Sequence, residues 1–130
     1  MELHGKNYYL NVFQKARELL TTPESWVQEE YAMNGHGEKT WPTNDDAVAV
    51  CAQGALIRAD HMLYQYHDQS DDFEAEKAED LLLGIVAKSG TEFKSVSRWN
   101  DSVYTNHEKI LEVFDDVIEA LKEEKERANV

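Results

Sequence analysis

The sequence is short of the residues on which several classes of protein depend. Its 130 residues include one cysteine, two prolines and 13 basic side chains against 26 acidic ones. The single cysteine, Cys51, has no partner for a disulfide within the chain. The net charge of −13 provides no basic face for phosphates, so we expect no direct binding to DNA, RNA or anionic membranes.

Long apolar runs are also missing. The longest, LLLGIVA at Leu81 to Ala87, is far below the roughly 20 residues that cross a bilayer. The first ten residues lack the basic, apolar and small-residue order of a signal peptide, so we expect a cytoplasmic protein. A chain of this length, 42% hydrophobic, has the size of one domain, and we predict a single helical domain over residues 1–130.

Standard catalytic and cofactor signatures are absent. The sequence has no H-E-x-x-H, C-x-x-C or E-x-x-H, no phosphate-binding G-x-G-x-x-G or P-loop, and no G-x-S-x-G. The five histidines do not pair on one helical face beside a carboxylate or thiol. We therefore assign no catalytic residue, no metal ligand and no cofactor, and the sequence favours a protein that is not an enzyme.

The apolar pattern predicts an all-α bundle of four main helices, because apolar residues recur at spacings of three and four. The predicted helices run from Asn7 to Leu20, from about Asn44 to Tyr66, from about Glu74 to KSG at 88–90, and from Thr105 into the charged tail. A shorter helical segment is predicted after Thr22 and Pro23, which suit a cap and a first turn. No segment alternates as a strand does, so we expect no sheet.

The segments between the helices contain turn formers. Met33 to Asn44 is predicted to be one long loop that exposes His36 and Trp41, and loops of this length in small domains are mobile or functional. The motif WND at 99–101 reads as a turn. Thr105, three residues before Glu108, matches a capping box. Residues 123–130 are predicted to be a solvated helix end or a frayed charged tail.

The stretch AVAVCAQGALIRA at 47–59 holds the cysteine. On a helix, every fourth residue would form a ridge of small side chains, namely Ala47, Cys51, Ala55 and Ala59. Such a ridge, with Gly54 beside it, would let a neighbouring helix approach closely. Cys51 is then a buried small residue, about two turns past the predicted cap and too far for activation by the helix dipole. The alternative is a small enzyme in which Cys51 acts with a histidine from the 33–44 loop or with His107.

Carboxylates gather on one side of the predicted last helix, opposite its apolar arc. This acidic face consists of Glu112, Asp115, Asp116, Glu119 and Glu123. The simplest interpretation is a solvated surface that keeps the protein soluble. The alternative is a surface that binds a protein partner, especially a basic one; in its narrower form the protein inhibits a nucleic-acid-binding enzyme by imitating phosphates.

A small-ligand site is a further possibility. An indole beside an amide and a carboxylate is a common arrangement for binding a polar ligand. The candidate residues are Trp26, Gln28, Trp99, Asn100 and Asp101. The structural alternative is that the tryptophans cover the ends of the core and that Asn100 and Asp101 form a turn.

Taken in order, these motifs resemble those of DUF6197, a family of small bacterial and phage proteins of unknown function. The matching residues are Trp26, Gln28, Cys51, Gly54, Ala55, Leu56, Ala59, Trp99, Asn100, Asp101, Thr105 and Glu108. The family pattern has a glycine where this chain has Glu29. The resemblance implies a small helical fold and a bacterial or phage setting, and it implies no activity, substrate or site residue.

The leading hypothesis is therefore an acidic, non-enzymatic helical module that binds a protein partner. Inhibition by charge mimicry, a Cys51 enzyme and a small-ligand domain remain alternatives. The sequence does not fix the oligomeric state.

Overall fold

A computed structural model describes residues 7–64 and 75–128, and helices make up most of this part of the chain. The prediction of a small, mostly helical domain is confirmed. The described helices are α1 (Tyr8–Leu19), α2 (Ala52–Tyr64), α3 (Ala75–Ala87), α4 (Val96–Asp101) and α5 (His107–Ala128). The predicted end of the second helix at Tyr66 and the start of the third at Glu74 lie outside the described residues.

Helix α1 forms where its apolar spacing predicts it, flanked by Asn7 and Leu20. Its buried face includes Val12, Phe13 and Ala16, which join one core with residues of α2, α3, α4 and α5. The Phe13 and Phe114 rings lie 5.7 Å apart between α1 and α5. Burial of this face, rather than helix propensity alone, stabilises α1.

A small sheet replaces the predicted start of the second helix. Strands β1 (Ala32–Asn34) and β2 (Ala47–Val50) pair antiparallel, with Ala32 opposite Val50. The predictions of a helix start near Asn44 and of no strand are therefore wrong. Two of the four residues of AVAV are β-branched valines, a residue type that suits an extended strand, and β1 supplies the hydrogen bonds that hold it; burial increases along β2, from the exposed Val48 to the buried Val50.

The segment before β1 is also less helical than predicted. Only a 3-10 turn forms, at Pro23–Ser25, and Trp26 then lies beside Val50 in a parallel bridge. Between the strands, the Asn34 side chain accepts hydrogen bonds from the backbone N–H groups of His36 and Glu38, at 2.9 and 3.0 Å. These bonds order the turn of a hairpin within the segment from Met33 to Asn44, for which the sequence predicts one long loop.

The loop between the strands is tied to α2. Arg58 donates from Nη1 to the carbonyl oxygens of Pro42 and Asn44, at 2.7 and 2.9 Å. His36 and Trp41 are exposed, as predicted, and Trp41 is 67% exposed. The exposed indole therefore sits on a segment that is held in place.

Cys51 is the residue before α2 and acts as its N-cap. The Sγ atom accepts a hydrogen bond from the backbone N–H of Gly54 at 3.2 Å, which satisfies one of the orphan donors of the first turn. The placement of Cys51 two turns inside a helix is therefore wrong, and the predicted four-member ridge is broken because Ala47 lies in β2. Ala55 and Ala59 are fully buried on α2.

Gly54 permits a close contact, but its partner is not a helix. A Cβ at this position would overlap the carbonyl oxygen of Tyr31 and lie 3.3 Å from the Pro42 ring. The absence of a side chain thus allows the first turn of α2 to pack directly on the chain that enters β1.

The WND motif is helical, and the next helix begins one residue later than predicted. Residues 99–101 form the C-terminal half of α4, whose N-cap Ser95 accepts from the Arg98 N–H at 3.1 Å. The N-cap of α5 is Asn106, which accepts from the Lys109 N–H at 2.9 Å, so the predicted capping box at Thr105 is wrong. Thr105 is buried instead.

Helix α5 extends into the charged tail. It is helical to Ala128, and its side chains from 122 to 127 are exposed. Across residues 7–64 and 75–128, no helix combines the length and apolarity needed to span a bilayer.

Candidate functional site

Four of the five predicted ligand-binding residues come together around the first turn of α2. We call this group the WND cluster, after the motif that supplies Asn100 and Asp101, and define it as Trp26, Gln28, Asn100 and Asp101. Asn100 is fully buried at its centre. Its Oδ1 accepts from the Trp26 indole N–H at 2.7 Å and from the Ala52 backbone N–H at 2.9 Å. Its Nδ2 donates to the Val27 carbonyl at 3.1 Å and to the Asp101 carboxylate at 3.0 Å. Asn100 therefore joins α4, the segment before β1 and the N-terminus of α2.

The other two members extend the same network. Gln28 donates from Nε2 to the Asn100 carbonyl at 2.9 Å, and Asp101 accepts from the Glu29 N–H at 2.8 Å. Glu29 has a φ of 72°, a left-handed conformation that glycine adopts without steric cost. The glycine of the family pattern therefore matches the backbone found here, where Asp101 holds a glutamate in that conformation.

The Cys51 thiol lies beside this cluster and is 3% exposed. Burial raises its pKa above the ordinary value; the backbone N–H groups of Gly54 and Gln53 act in the opposite direction, and the negative charge of Asp101 adds to the increase. A helix N-terminus normally favours a thiolate, but here the desolvation of the charged form outweighs that effect. The thiol is therefore protonated near neutral pH.

His107, the candidate partner of Cys51, makes different contacts. Its Nε2 lies 2.6 Å from the Leu20 carbonyl oxygen, and its ring centroid is 6.2 Å from that of Trp26. Among the described residues, no histidine hydrogen-bonds to the Cys51 sulfur. The same residues contain no group of three or more metal-ligating side chains.

Most hydrogen-bonding groups of the WND cluster are thus directed at protein atoms. The arrangement fastens three segments together, and its polar groups would have to give up these bonds to hold a ligand. Binding of a small polar ligand by these residues stays a prediction.

A second arrangement lies on the other side of α4, in a groove of about 680 Å³ between α3 and α5. We call it the acidic groove. Its apolar lining comes from the end of α3, the segment after it, α4 and α5, and consists of Ile85, Val86, Phe93, Trp99, Val113 and Ala120. Trp99, the fifth predicted ligand-binding residue, is nearly buried and forms part of this lining rather than of the WND cluster.

Four members of the predicted acidic face line the same groove: Glu112, Asp116, Glu119 and Glu123. Two lysines, Lys88 and Lys109, also line it. The ion pairs within residues 7–64 and 75–128 are Lys15 with Glu18 and Arg17 with Asp115, so in this part of the chain none of the four groove carboxylates forms an ion pair.

Asp115 differs from the other members of the acidic face. Its carboxylate accepts from Arg17 Nε at 2.9 Å, which links α5 to α1, and it does not line the groove. A pair as exposed as this one contributes at most about 1 kcal/mol to stability. The five acids are all exposed on α5, but their helical spacing does not indicate which of them faces α1.

Several groove residues were missed from the sequence. The candidate residues selected from the sequence do not include Phe93, Tyr104 or Val113, which line the groove. Tyr104 and its neighbour Val103 are 87% and 89% exposed, and Tyr104 lies at the groove. The signal available in the sequence was a valine and a tyrosine side by side between Ser102 and Thr105, outside any helical apolar period, since adjacent apolar residues that stay exposed can form part of an interaction surface.

Comparison with known protein families matches residues 8–120 to a family of unknown function, DUF6197, and the chain belongs to that family. The matched region includes the WND cluster and all of the groove except Glu123. Neither the curated proteins nor the solved structures contain a significant match.

Proposed function

We propose that this protein is a non-enzymatic module that binds a protein partner in the acidic groove. The observation that carries the proposal is the joint lining of one groove by apolar side chains and by four carboxylates that form no ion pair with any residue of 7–64 or 75–128. Apolar area supplies binding free energy and the carboxylates select a partner of opposite charge. The setting that fits the proposal is the cytoplasm of a bacterium or a bacterium infected by a phage.

The groove distinguishes this proposal from a purely electrostatic surface. A solvated acidic face serves solubility wherever it lies on a helix. Here Glu112, Asp116 and Glu119 border Trp99 and Val113 instead of surrounding a uniformly polar face. A concave surface with an apolar lining and a charged border is typical of recognition sites.

Phosphate mimicry is the narrower form of the same hypothesis. The carboxylates at 112, 116, 119 and 123 form a line along α5, as such mimicry requires. The apolar lining, however, has no counterpart on a nucleic-acid backbone, and it favours a partner that contributes apolar side chains. Thiol catalysis has less support, because burial raises the pKa of Cys51.

The experiment compares two triple variants that change the net charge equally. The groove variant reverses the charge of three carboxylates that line the groove, with the substitutions Glu112→Lys, Asp116→Lys and Glu119→Lys. The control reverses the charge of three exposed carboxylates that do not line it, with the substitutions Glu24→Lys, Glu124→Lys and Glu126→Lys. Wild type, groove variant and control are immobilised and exposed to lysate of the organism that encodes the chain. We expect wild type and control to retain the same specific protein, and the groove variant to lose at least 90% of it.

Circular dichroism and thermal unfolding establish that all three proteins are folded. Retention of the same partner by the groove variant, or its loss by the control alone, contradicts the proposal. Elution of the partner by duplex DNA at equal salt favours the narrower form, in which the groove imitates a nucleic acid.

A further inference from the structure

We infer that the occupant of the acidic groove is a basic amphipathic α-helix of about three turns, supplied by the partner protein. This inference rests on the proposed function and names the partner segment by its chemistry. We argue it from four features: the helical walls of the groove, the spacing of its carboxylates, its apolar lining and its charge.

The shape of the groove favours a helix. Its lining residues come from α3, α4 and α5 and from the segments that join α3 to α4 and α4 to α5, so the described lining offers no strand edge to which an extended peptide could add. A groove between helices instead accommodates the ridge of another helix. The two-stranded sheet contributes no lining residue.

The spacing of the carboxylates sets the length and the charge of the occupant. Glu112, Asp116, Glu119 and Glu123 follow one another at intervals of four, three and four residues along α5, a distance of about 17 Å. A helix alongside α5 that carries Lys or Arg at the same intervals can place one cation near each carboxylate. About three turns of helix cover this distance.

The lining sets the other face of the occupant. Phe93 and Val113 are partly exposed and present apolar surface inside the groove, and Tyr104 stands almost fully exposed at it. Exposed tyrosines that border an apolar groove commonly become anchors of an interface. The bound helix therefore needs leucine, isoleucine or phenylalanine on the face adjoining its cations.

Charge also argues against a second copy of this chain as the occupant. Each chain has a net charge of −13, and the groove itself has four acids against two lysines. Like charges brought together at an interface oppose association. A cationic segment meets neither obstacle.

The test uses two synthetic peptides of about twelve residues with identical composition, containing five Lys or Arg and four apolar residues. In the first, both groups are placed on adjoining faces of a helix; in the second, the same residues are permuted so that no face forms. Fluorescence anisotropy measures the affinity of each peptide for the full chain. We expect the amphipathic peptide to bind at least ten-fold more tightly than the permuted one and to gain helicity by circular dichroism on binding.

The groove variant and its charge-matched control complete the design. We expect the groove variant to lose the preference for the amphipathic peptide over the permuted one, and the control to keep it. Equal affinity for both peptides overturns the inference, because charge alone then accounts for binding. A wild-type dimer that the groove substitutions convert to monomer also overturns it, because the occupant of the groove is then a second copy of this chain. If lysate capture depends on the groove but the peptides are not distinguished, the proposed function stands and the helical occupant is wrong. If capture does not depend on the groove, the proposed function itself fails.

Discussion

The WND cluster and the acidic groove lie on either side of α4, and both are rich in polar side chains, but they use them in opposite ways. In the cluster, Asn100 directs both atoms of its amide at protein atoms while fully buried. In the groove, the carboxylates of Glu112, Asp116 and Glu119 have no ion-pair partner in the described residues. Chemistry-bearing residue types therefore do not identify a binding site by themselves. What differs is whether their bonding capacity is already used within the fold.

The largest effect should come from removing the centre of the WND cluster. Asn100→Ala leaves the buried Ala52 N–H and the part-buried Trp26 indole N–H and Val27 carbonyl without their bonds, and we expect the free energy of unfolding to fall by about 4 kcal/mol. Urea unfolding measures the loss.

A matched asparagine tests whether the network, and not the residue type, is responsible. Asn44 is exposed and donates one side-chain hydrogen bond, to Thr40 Oγ1 at 2.9 Å. Asn44→Ala should cost less than about 1 kcal/mol. Equal losses of unfolding free energy in Asn100→Ala and Asn44→Ala would show that the hydrogen bonds of the cluster do not stabilise the fold.

The next effect concerns the close contact beside the cluster. Gly54→Ala places a methyl group against the Tyr31 carbonyl oxygen, and we expect a loss of about 3 kcal/mol because the opposing atoms belong to backbone. Gly84→Ala is the control, since among the described residues no atom beyond the local backbone of α3 lies within 4 Å of a Cβ added to this glycine. It should gain up to about 1 kcal/mol from helix propensity. The unfolding temperature should therefore fall in Gly54→Ala and rise in Gly84→Ala. A change of the same sign in both variants would contradict the close contact between Gly54 and Tyr31.

The long helices were largely predictable from the sequence because their apolar faces are long and regular, whereas α4, with only six residues, was not, and its WND end was predicted to be a turn. Val12, Phe13 and Ala16 reveal α1 without any knowledge of its neighbours. The start of α2 was not predictable, since AVAV continues an apolar helical pattern as well as it forms a strand, and only pairing with the distant Ala32–Asn34 decides between them.

Individual residues of the candidate sites could be selected from the sequence, but the contacts that bring them together could not. Trp26 and Asn100 were selected together, yet nothing in one sequence indicated that they bond to each other 74 residues apart. Likewise, the acidic face followed from helical spacing, while its junction with Phe93 depends on how the chain returns after α3. Long-range packing determined both outcomes.

A third test uses the alkaline range to probe the burial of Cys51. Because the folded state raises the thiol pKa, the unfolded chain loses its thiol proton first as the pH rises, and stability falls from about pH 8.5 upward. The slope from this group is at most about 1.4 kcal/mol per pH unit. Cys51→Ser keeps an oxygen that can accept from Gly54 but does not titrate.

The stability difference between wild type and Cys51→Ser should therefore shift in favour of the serine variant between about pH 8.5 and 10. Urea unfolding at pH 7, 8.5 and 10 measures it, and the subtraction removes the contribution of lysines and tyrosines common to both proteins. A difference that stays constant across this range would mean that Cys51 is solvated in the folded state.

The smallest effect is a gain at the edge of the cluster. Glu29→Gly replaces a left-handed glutamate by a residue with no steric cost in that conformation, and we expect stability to rise by roughly 0.5–1 kcal/mol after the entropy of glycine is allowed for. Glu30→Gly, next in the chain and outside the left-handed region, should instead lose stability. A loss at both positions would argue that the Glu29 side chain contributes more than its backbone costs.

The most direct test of the contrast between the two regions is one NMR titration of the full chain with the amphipathic cationic peptide. We expect progressive shifts of the amide signals of Val113, Asp116 and Glu119 and of the Trp99 indole, with the Trp26 indole and the Asn100 side-chain amide unchanged. Shifts centred on Trp26 and Asn100, with the α5 signals unmoved, would contradict the account and make the WND cluster the binding site.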